Sequence, residues 1–251
     1  MWDSQAEREH YLTVPDFADD RFLIKMQQRG YIEPGFRVLD VGCGAGAYSA
    51  AISRHVHNVV GTDFSPRMLG SGRTLMAREG VTNVELVWDN WHTLELEDHG
   101  WQNAFDVAFV HNSPALSSSG ALDKLLDSSR RYFAVSSPSR VKDPVVDGLR
   151  EALGLPAQSG TNGNFLYLLN ELLLRGYKPE LAYEETQWHT DQPLEIAIPF
   201  FSGRLNLPAH EREALLPDIE HHLRNTARDG RVQGTTNTTI QMIFWEKPRE
   251  S

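Results

Sequence analysis

The chain predicts an α/β fold: a mostly parallel sheet with helices on both faces. Three observations carry this reading. Short β-rich runs alternate with helical stretches from residue 36 to 136. Glycines cluster directly after the first of those runs, in Gly42-Cys43-Gly44-Ala45-Gly46. At 40% hydrophobic and 23% charged residues over 251 positions, the composition suits a chain that buries one large core, with room for an insertion.

The elements follow in order. Phe17, Phe22, Leu23 and Met26 fall near helical spacing, so 17–29 reads as an amphipathic helix closed by Gly30. Phe36 to Val41 is a strand, and 46–56 a helix. Asn58 to Asp63 is the second strand. Ser65 and Pro66 then form a cap and first-turn pair for a helix running to about Glu79. Val84–Trp88, Phe105–Val110 and Tyr132–Val135 are further strands, with a helix over 122–129 before the last of them. Beyond 137 the rhythm changes. Helices are expected over 144–153 and 164–175, and a strand start over 177–185. An apolar stretch with two prolines spans 188–207, and a charged helix 208–228. Thr238, Ile240, Met242 and Phe244 alternate as on one face of a final strand. The division expected is a single domain over 1–251, with a helical cap (1–35), a ligand-binding core (36–136), an insertion (137–207) and a C-terminal helix and strand (208–251).

Right-handed crossovers put the carboxyl ends of parallel strands on one edge, where ligands bind. The glycine loop lies there. Glycine lets a backbone turn sharply and approach a ligand with no Cβ between them. The loop also satisfies a dinucleotide fingerprint, Gly42-x-Gly44-x-x-Ala47, which alone is a weak signal. Asp40 discriminates between the two ligands. A carboxylate two residues before the first glycine suits a cationic amino group and repels a pyrophosphate. Asp63, ending the second strand, suits ribose hydroxyls in either case.

Val38-Leu39-Asp40-Val41-Gly42-Cys43-Gly44-Ala45-Gly46 and Gly61-Thr62-Asp63-Phe64-Ser65-Pro66-Arg67-Met68-Leu69 resemble the first two motifs of class I S-adenosylmethionine (SAM)-dependent methyltransferases. The resemblance implies a Rossmann-like sheet of seven strands, the last antiparallel, with the N-terminal helix and the insertion covering the active site. It implies that SAM is the cofactor. Asp40, Gly42, Cys43, Gly44 and Gly46 would surround its methionine part, Asp63 would take the ribose, and Phe64 and Met68 would pack near the adenine. In Val87-Trp88-Asp89-Asn90-Trp91, Asp89 or Asn90 would meet the adenine amino group, with Trp91 beside it. The fourth motif position holds Val110-His111-Asn112-Ser113-Pro114-Ala115. It departs from the Asn/Asp-Pro-Pro-aromatic pattern of amino- and base-methylating members, and is similar to a bacterial and archaeal subset with a polar-Ser-Pro-Ala stretch. His111 and Asn112 are the candidate catalytic residues, His111 also bordering the cofactor. The unperturbed pKa of a histidine, about 6.5, would suit a general base; the alternative is a histidine that only shapes the pocket.

Charge and composition narrow the acceptor. A formal net charge of −10 and no Lys/Arg-rich run disfavour nucleic acid and an anionic membrane surface, leaving a small molecule. One cysteine makes neither an internal disulfide nor a thiolate metal cluster, so no metal is expected. No apolar run approaches the ~18 residues that span a bilayer, which reads as a cytoplasmic protein, compatible with a homodimer. The rival readings are an NAD(P)-dependent oxidoreductase using the same glycine loop and a non-catalytic SAM-binding regulator. Aromatics at Trp188 and at Phe200-Phe201 would serve either an acceptor cage or the packing of the insertion.

Overall fold

The computed structural model describes residues 12–118, 120–158 and 163–248. Seven strands form one sheet: β1 (Arg37–Val41), β2 (Asn58–Asp63), β3 (Val84–Trp88), β4 (Phe105–His111), β5 (Ser129–Lys142), β6 (Glu180–Pro193) and β7 (Arg231–Glu246). Their order is β3-β2-β1-β4-β5-β7-β6. The β1–β2, β1–β4, β2–β3 and β4–β5 pairs are parallel. At one end of β5 the Lys247 N–H donates to the Arg131 carbonyl (2.8 Å), and at the other the Ser139 hydroxyl donates to the Thr239 carbonyl (3.2 Å). One index rises as the other falls, so β7 runs antiparallel to β5. The expected sheet, seven-stranded, mostly parallel and with an antiparallel last strand, is the one observed.

The chain divides into two compact units. The first holds residues up to 137, then 164–182 and the chain from 241 onward; the second holds 138–163 and 183–240. Residues 164–182 and the end of β7 thus belong with the first unit, not with the segments to which the sequence division assigned them.

In the first unit the strands alternate between two apolar layers, as a sheet covered on both faces must. Leu39, Val41, Ala108, Val110, Phe133, Val135, Ile243 and Trp245 point into one layer. There they meet Leu122, Leu125 and Leu126 of α4 (Ala121–Ser128) and Phe165, Leu168 and Leu172 of α6 (Gly163–Leu174). On the other face, Phe22 of α1 (Arg21–Gln28) packs against Phe109, His111 and Phe244. Also in this unit, α2 (Ala47–Ser53) and α3 (Pro66–Glu79) join through Ala50, Leu75 and Met76. The α1 helix begins at Arg21 and not at 17, because Asp16 folds the preceding residues into a turn and Asp20 caps the helix by accepting from Leu23 N–H (2.9 Å).

The second unit has a core of its own. Leu149 of α5 (Pro144–Ala152), Ala197 and Phe201 of α7 (Leu194–Arg204), and Ile219 and Leu223 of α9 (Leu216–Thr226) are fully or almost fully buried there. The expected helix over 208–228 is two, α8 (Ala209–Ala214) and α9, since Pro217 offers no N–H to continue the first. The stretch expected as an apolar insertion is strand β6 followed by α7. Phe201 belongs to this core and Phe200 meets it edge to face, ring centres 5.0 Å apart, so both aromatics pack where they stand; Trp188 is partly exposed.

Candidate functional site

The glycine loop leaves β1 and is fastened to β2, where the Thr62 carbonyl accepts from both Gly42 N–H (2.8 Å) and Cys43 N–H (3.0 Å). Gly42 has φ +72°, and a Cβ there would stand 2.0 Å from Ser113 Oγ, so the turn and the closeness of the β4 end both demand glycine. A Cβ on Gly44 would meet nothing within 4 Å, so the loop presents bare backbone on its open side. Asp63 at the β2 terminus ties this backbone down: its carboxylate accepts from Gly44 N–H (2.9 Å) and from Ser65 N–H (2.8 Å). Phe64 (50% exposed) and Trp88 (66% exposed) stand beside it at the ends of β2 and β3, joined by a hydrogen bond from Trp88 Nε1 to the Phe64 carbonyl. A carboxylate, unobstructed backbone and two uncovered aromatic rings make a cradle that fits a nucleoside with a short polar arm.

Asp40 departs from expectation. It lies on the sheet face toward α2, is buried, and its carboxylate accepts from Ser49 Oγ (2.6 Å). Burial, against the Ser49 hydrogen bond and with help from nearby Asp63, raises its pKa to about 7. It therefore braces α2 from behind the loop and does not hold a fixed charge out to a ligand. With its pKa at about 7 and its carboxylate already held by Ser49, it separates the two ligands less sharply than a free carboxylate would. Cys43 is likewise inert, its thiol pushed up by burial and by Asp40 and Asp63. Met68 is buried against Ala45.

Beyond β3, Asp89 binds His99 Nε2 (2.8 Å), and His99 stacks on Trp101 at 4.4 Å. Asn90 is exposed, and its side-chain oxygen accepts from His92 N–H (3.1 Å). Trp91 turns inward to the core and donates to the Ala121 carbonyl. His99 gave no signal in the sequence, since its partner lies ten residues back.

At the end of β4, His111 stacks on Tyr48 at 3.8 Å and against Phe22 at 4.8 Å. Its Nδ1 pairs with Ser136 Oγ (2.7 Å), and Asn112 Nδ2 donates to its Nε2 (2.9 Å). A ring nitrogen that accepts leaves the proton on Nδ1, which donates to Ser136. Burial lowers the His111 pKa to about 3, so the ring is neutral near pH 7. Of the two readings open for His111, so weak a base fits the one in which the histidine shapes the pocket and positions its neighbours. Asn112 takes a left-handed backbone (φ 50°) and is exposed, its amide oriented by His111. Tyr48, Ser136 and Asp20, which accepts from Tyr48 OH (2.6 Å), were missed in the sequence. Tyr48 alone had a signal, being the second residue of the helix that follows the glycine loop.

A cavity of about 670 Å³ lined by Phe17, Arg54, His55 and Arg78 lies at the far ends of α2 and α3, away from the loop. Among the described residues, no group of three or more His, Cys, Asp or Glu is arranged to hold a metal ion, and no helix is long and apolar enough to cross a membrane.

Residues 38–134 match a family model described as a methyltransferase domain. A demethylmenaquinone methyltransferase of Shouchella clausii (strain KSM-K16) is 38% identical over 82 residues, 32% of this chain and 33% of that protein. The match thus spans about a third of that relative's length. A second demethylmenaquinone methyltransferase, from Bacillus pumilus (strain SAFR-032), is 27% identical over 198 residues, 76% of this chain and 75% of that one. Among solved structures, a SAM-dependent methyltransferase from Geobacter sulfurreducens in complex with S-adenosyl-L-homocysteine superposes with a TM-score of 0.52 at 15% identity, covering 98% of this chain and 96% of that one.

Proposed function

We propose, for a chain that carries a methyltransferase domain over residues 38–134 on the class I fold, that it transfers a methyl group from SAM to a small-molecule acceptor. The observation that carries this is the cradle at the β1, β2 and β3 ends: Gly44 backbone clamped by Asp63, with Phe64 and Trp88 uncovered beside it. The solved neighbour holding S-adenosyl-L-homocysteine supports the same cofactor here. SAM supplies a methyl group on a sulfonium, open to direct displacement. Around it, Asp63 takes the ribose hydroxyls, the Gly42–Gly46 backbone receives the amino-acid arm, and the Asp89–Asn90 segment meets the adenine edge. His111 holds the Asn112 amide in place, and Asn112 orients the acceptor. Positioning of this kind suffices for a displacement.

The strand order weighs against the oxidoreductase alternative. Dinucleotide-binding sheets run 3-2-1-4-5-6, whereas here antiparallel β7 is inserted between β5 and β6. The net charge of −10 supports a small acceptor over nucleic acid, and a single cysteine, which forms no internal disulfide, supports a reducing, cytoplasmic setting.

Titration calorimetry tests the cofactor: SAM and S-adenosylhomocysteine bind the wild type, NADH does not, and Asp63→Ala loses at least tenfold in affinity. Undiminished binding by Asp63→Ala overturns the assignment. Turnover over a panel of amines, thiols, phenols and carboxylates separates an enzyme from a SAM-binding regulator.

A further inference from the structure

We propose that the outer face of α6 is a homodimer interface, on which a second copy of this chain lays its own α6 antiparallel about a two-fold axis through Asn170. In the α6 sequence, GNFLYLLNELLL, apolar side chains extend well beyond the face turned to the core, interrupted by Asn164, Asn170 and Glu171. Phe165, Leu168 and Leu172 go into the core. Leu166 (53% exposed), Tyr167 (65%), Leu173 (55%) and Leu174 (84%) are left on the outside. A helix facing solvent normally carries polar residues on its outer face, and here most of that face is apolar. Taking about 200 Å² for each fully exposed side chain, these four present roughly 500 Å², the size of the largest apolar patch on a typical soluble monomer, which is often a functional one.

A second copy of this chain is an occupant that the stripe fits, since a helical face centred on one residue is compatible with a two-fold axis there. Counted from Asn170, the exposed apolar residues lie at −4, −3, +3 and +4, so the stripe reads the same in reverse. Under a two-fold axis, Leu166 lies over Leu174 of the other copy and Tyr167 over Leu173. Asn170 meets its own equivalent, and an amide can donate to and accept from another amide. A polar pair in an otherwise apolar seam fixes the register. The antiparallel arrangement also sets the two helix dipoles head to tail. Charge agrees: Glu171 is the one ionised group in α6, and it is paired with Arg175 (3.3 Å). A chain of net charge −10 repels its copies over most of its surface, and least along this stripe. The two faces together bury roughly 1,000 Å², near the lower bound for a specific contact, so the dimer is a reversible one.

Sedimentation of the full chain tests this. The mass rises with concentration from 28.4 kDa towards twice that value. Leu166→Lys and Leu174→Glu, each separately, stay monomeric over the same range, and share the wild-type thermal midpoint at dilutions where the wild type is itself monomeric. An equimolar mixture of the two recovers the dimer, because the introduced ammonium of one copy faces the introduced carboxylate of the other. Should either variant fail to fold, Asn170→Cys in a Cys43→Ser background decides: on oxidation it forms a covalent dimer across the axis, with Cys43, partly exposed in the wild type, removed as a competitor. A wild type that stays monomeric up to millimolar concentration overturns the proposal, as does a dimer that survives both substitutions. A mixture that stays monomeric overturns the antiparallel pairing.

Discussion

Asp40 and His111 both favour their uncharged forms, and each makes stability depend on pH, with opposite signs. The Asp40 pKa rises from 3.8 to about 7, so between those values the folded protein binds more protons than the unfolded chain. Stability from this group is full below pH 3.8 and is lost as pH rises through 7. The His111 pKa falls from 6.5 to about 3, so the unfolded chain binds more protons in that window. Its contribution is full above pH 6.5 and is lost as pH falls through 3. The two slopes, each at most about 1.4 kcal/mol per pH unit, oppose one another between pH 3.8 and 6.5. Urea unfolding across this range separates them. Asp40→Asn leaves the His111 slope, and stability climbs with pH; His111→Gln leaves the Asp40 slope, and stability declines with pH. Variants that keep the wild-type profile would show that neither group is buried as described.

At the scale of the element, α3 carries two glycines with opposite consequences. A Cβ on Gly70 meets nothing within 4 Å, whereas one on Gly72 stands 2.8 Å from the Ala45 carbonyl oxygen in the glycine loop. Gly70→Ala gains helix propensity, up to about 1 kcal/mol. Gly72→Ala gains the same propensity but pushes against backbone, a cost of about 1–3 kcal/mol, and it displaces the loop. Thermal melts are expected to rise for Gly70→Ala and fall for Gly72→Ala, with calorimetry showing weaker SAM binding only for the second. Unaltered SAM affinity in Gly72→Ala would mean that α3 does not set the loop's position.

Across the whole molecule, a ligand that binds only the folded state raises its stability by mass action. SAM at about a hundredfold excess over its dissociation constant adds about 2.7 kcal/mol, which is several degrees of thermal midpoint for a chain of this size. NADH at the same concentration leaves the midpoint where it was. A shift with NADH and none with SAM would return the glycine loop to the dinucleotide reading.

What the sequence determined by itself is local. The alternation from β1 to β5, the Gly42–Gly46 turn, Asp63 at a strand end and the Ser65 cap each depend on residues a few positions apart, and each is visible as a pattern. The count of seven strands and the antiparallel last one rested on family resemblance, and the strand order came only from the structure, because strand neighbours far apart in the chain leave no local mark. Tertiary structure decided the electrostatics. Asp40 looked like a ligand's counter-charge until Ser49 and the sheet enclosed it. His111 looked like a base until Phe22, Tyr48 and Ser136, from three other elements, removed water from its ring. A pKa depends on what surrounds the group in space, and its chain neighbours supply only a small part of that surrounding. The same reason hid the α6 stripe: its apolar residues were plain in the sequence, but which of them remained uncovered depended on packing against the sheet.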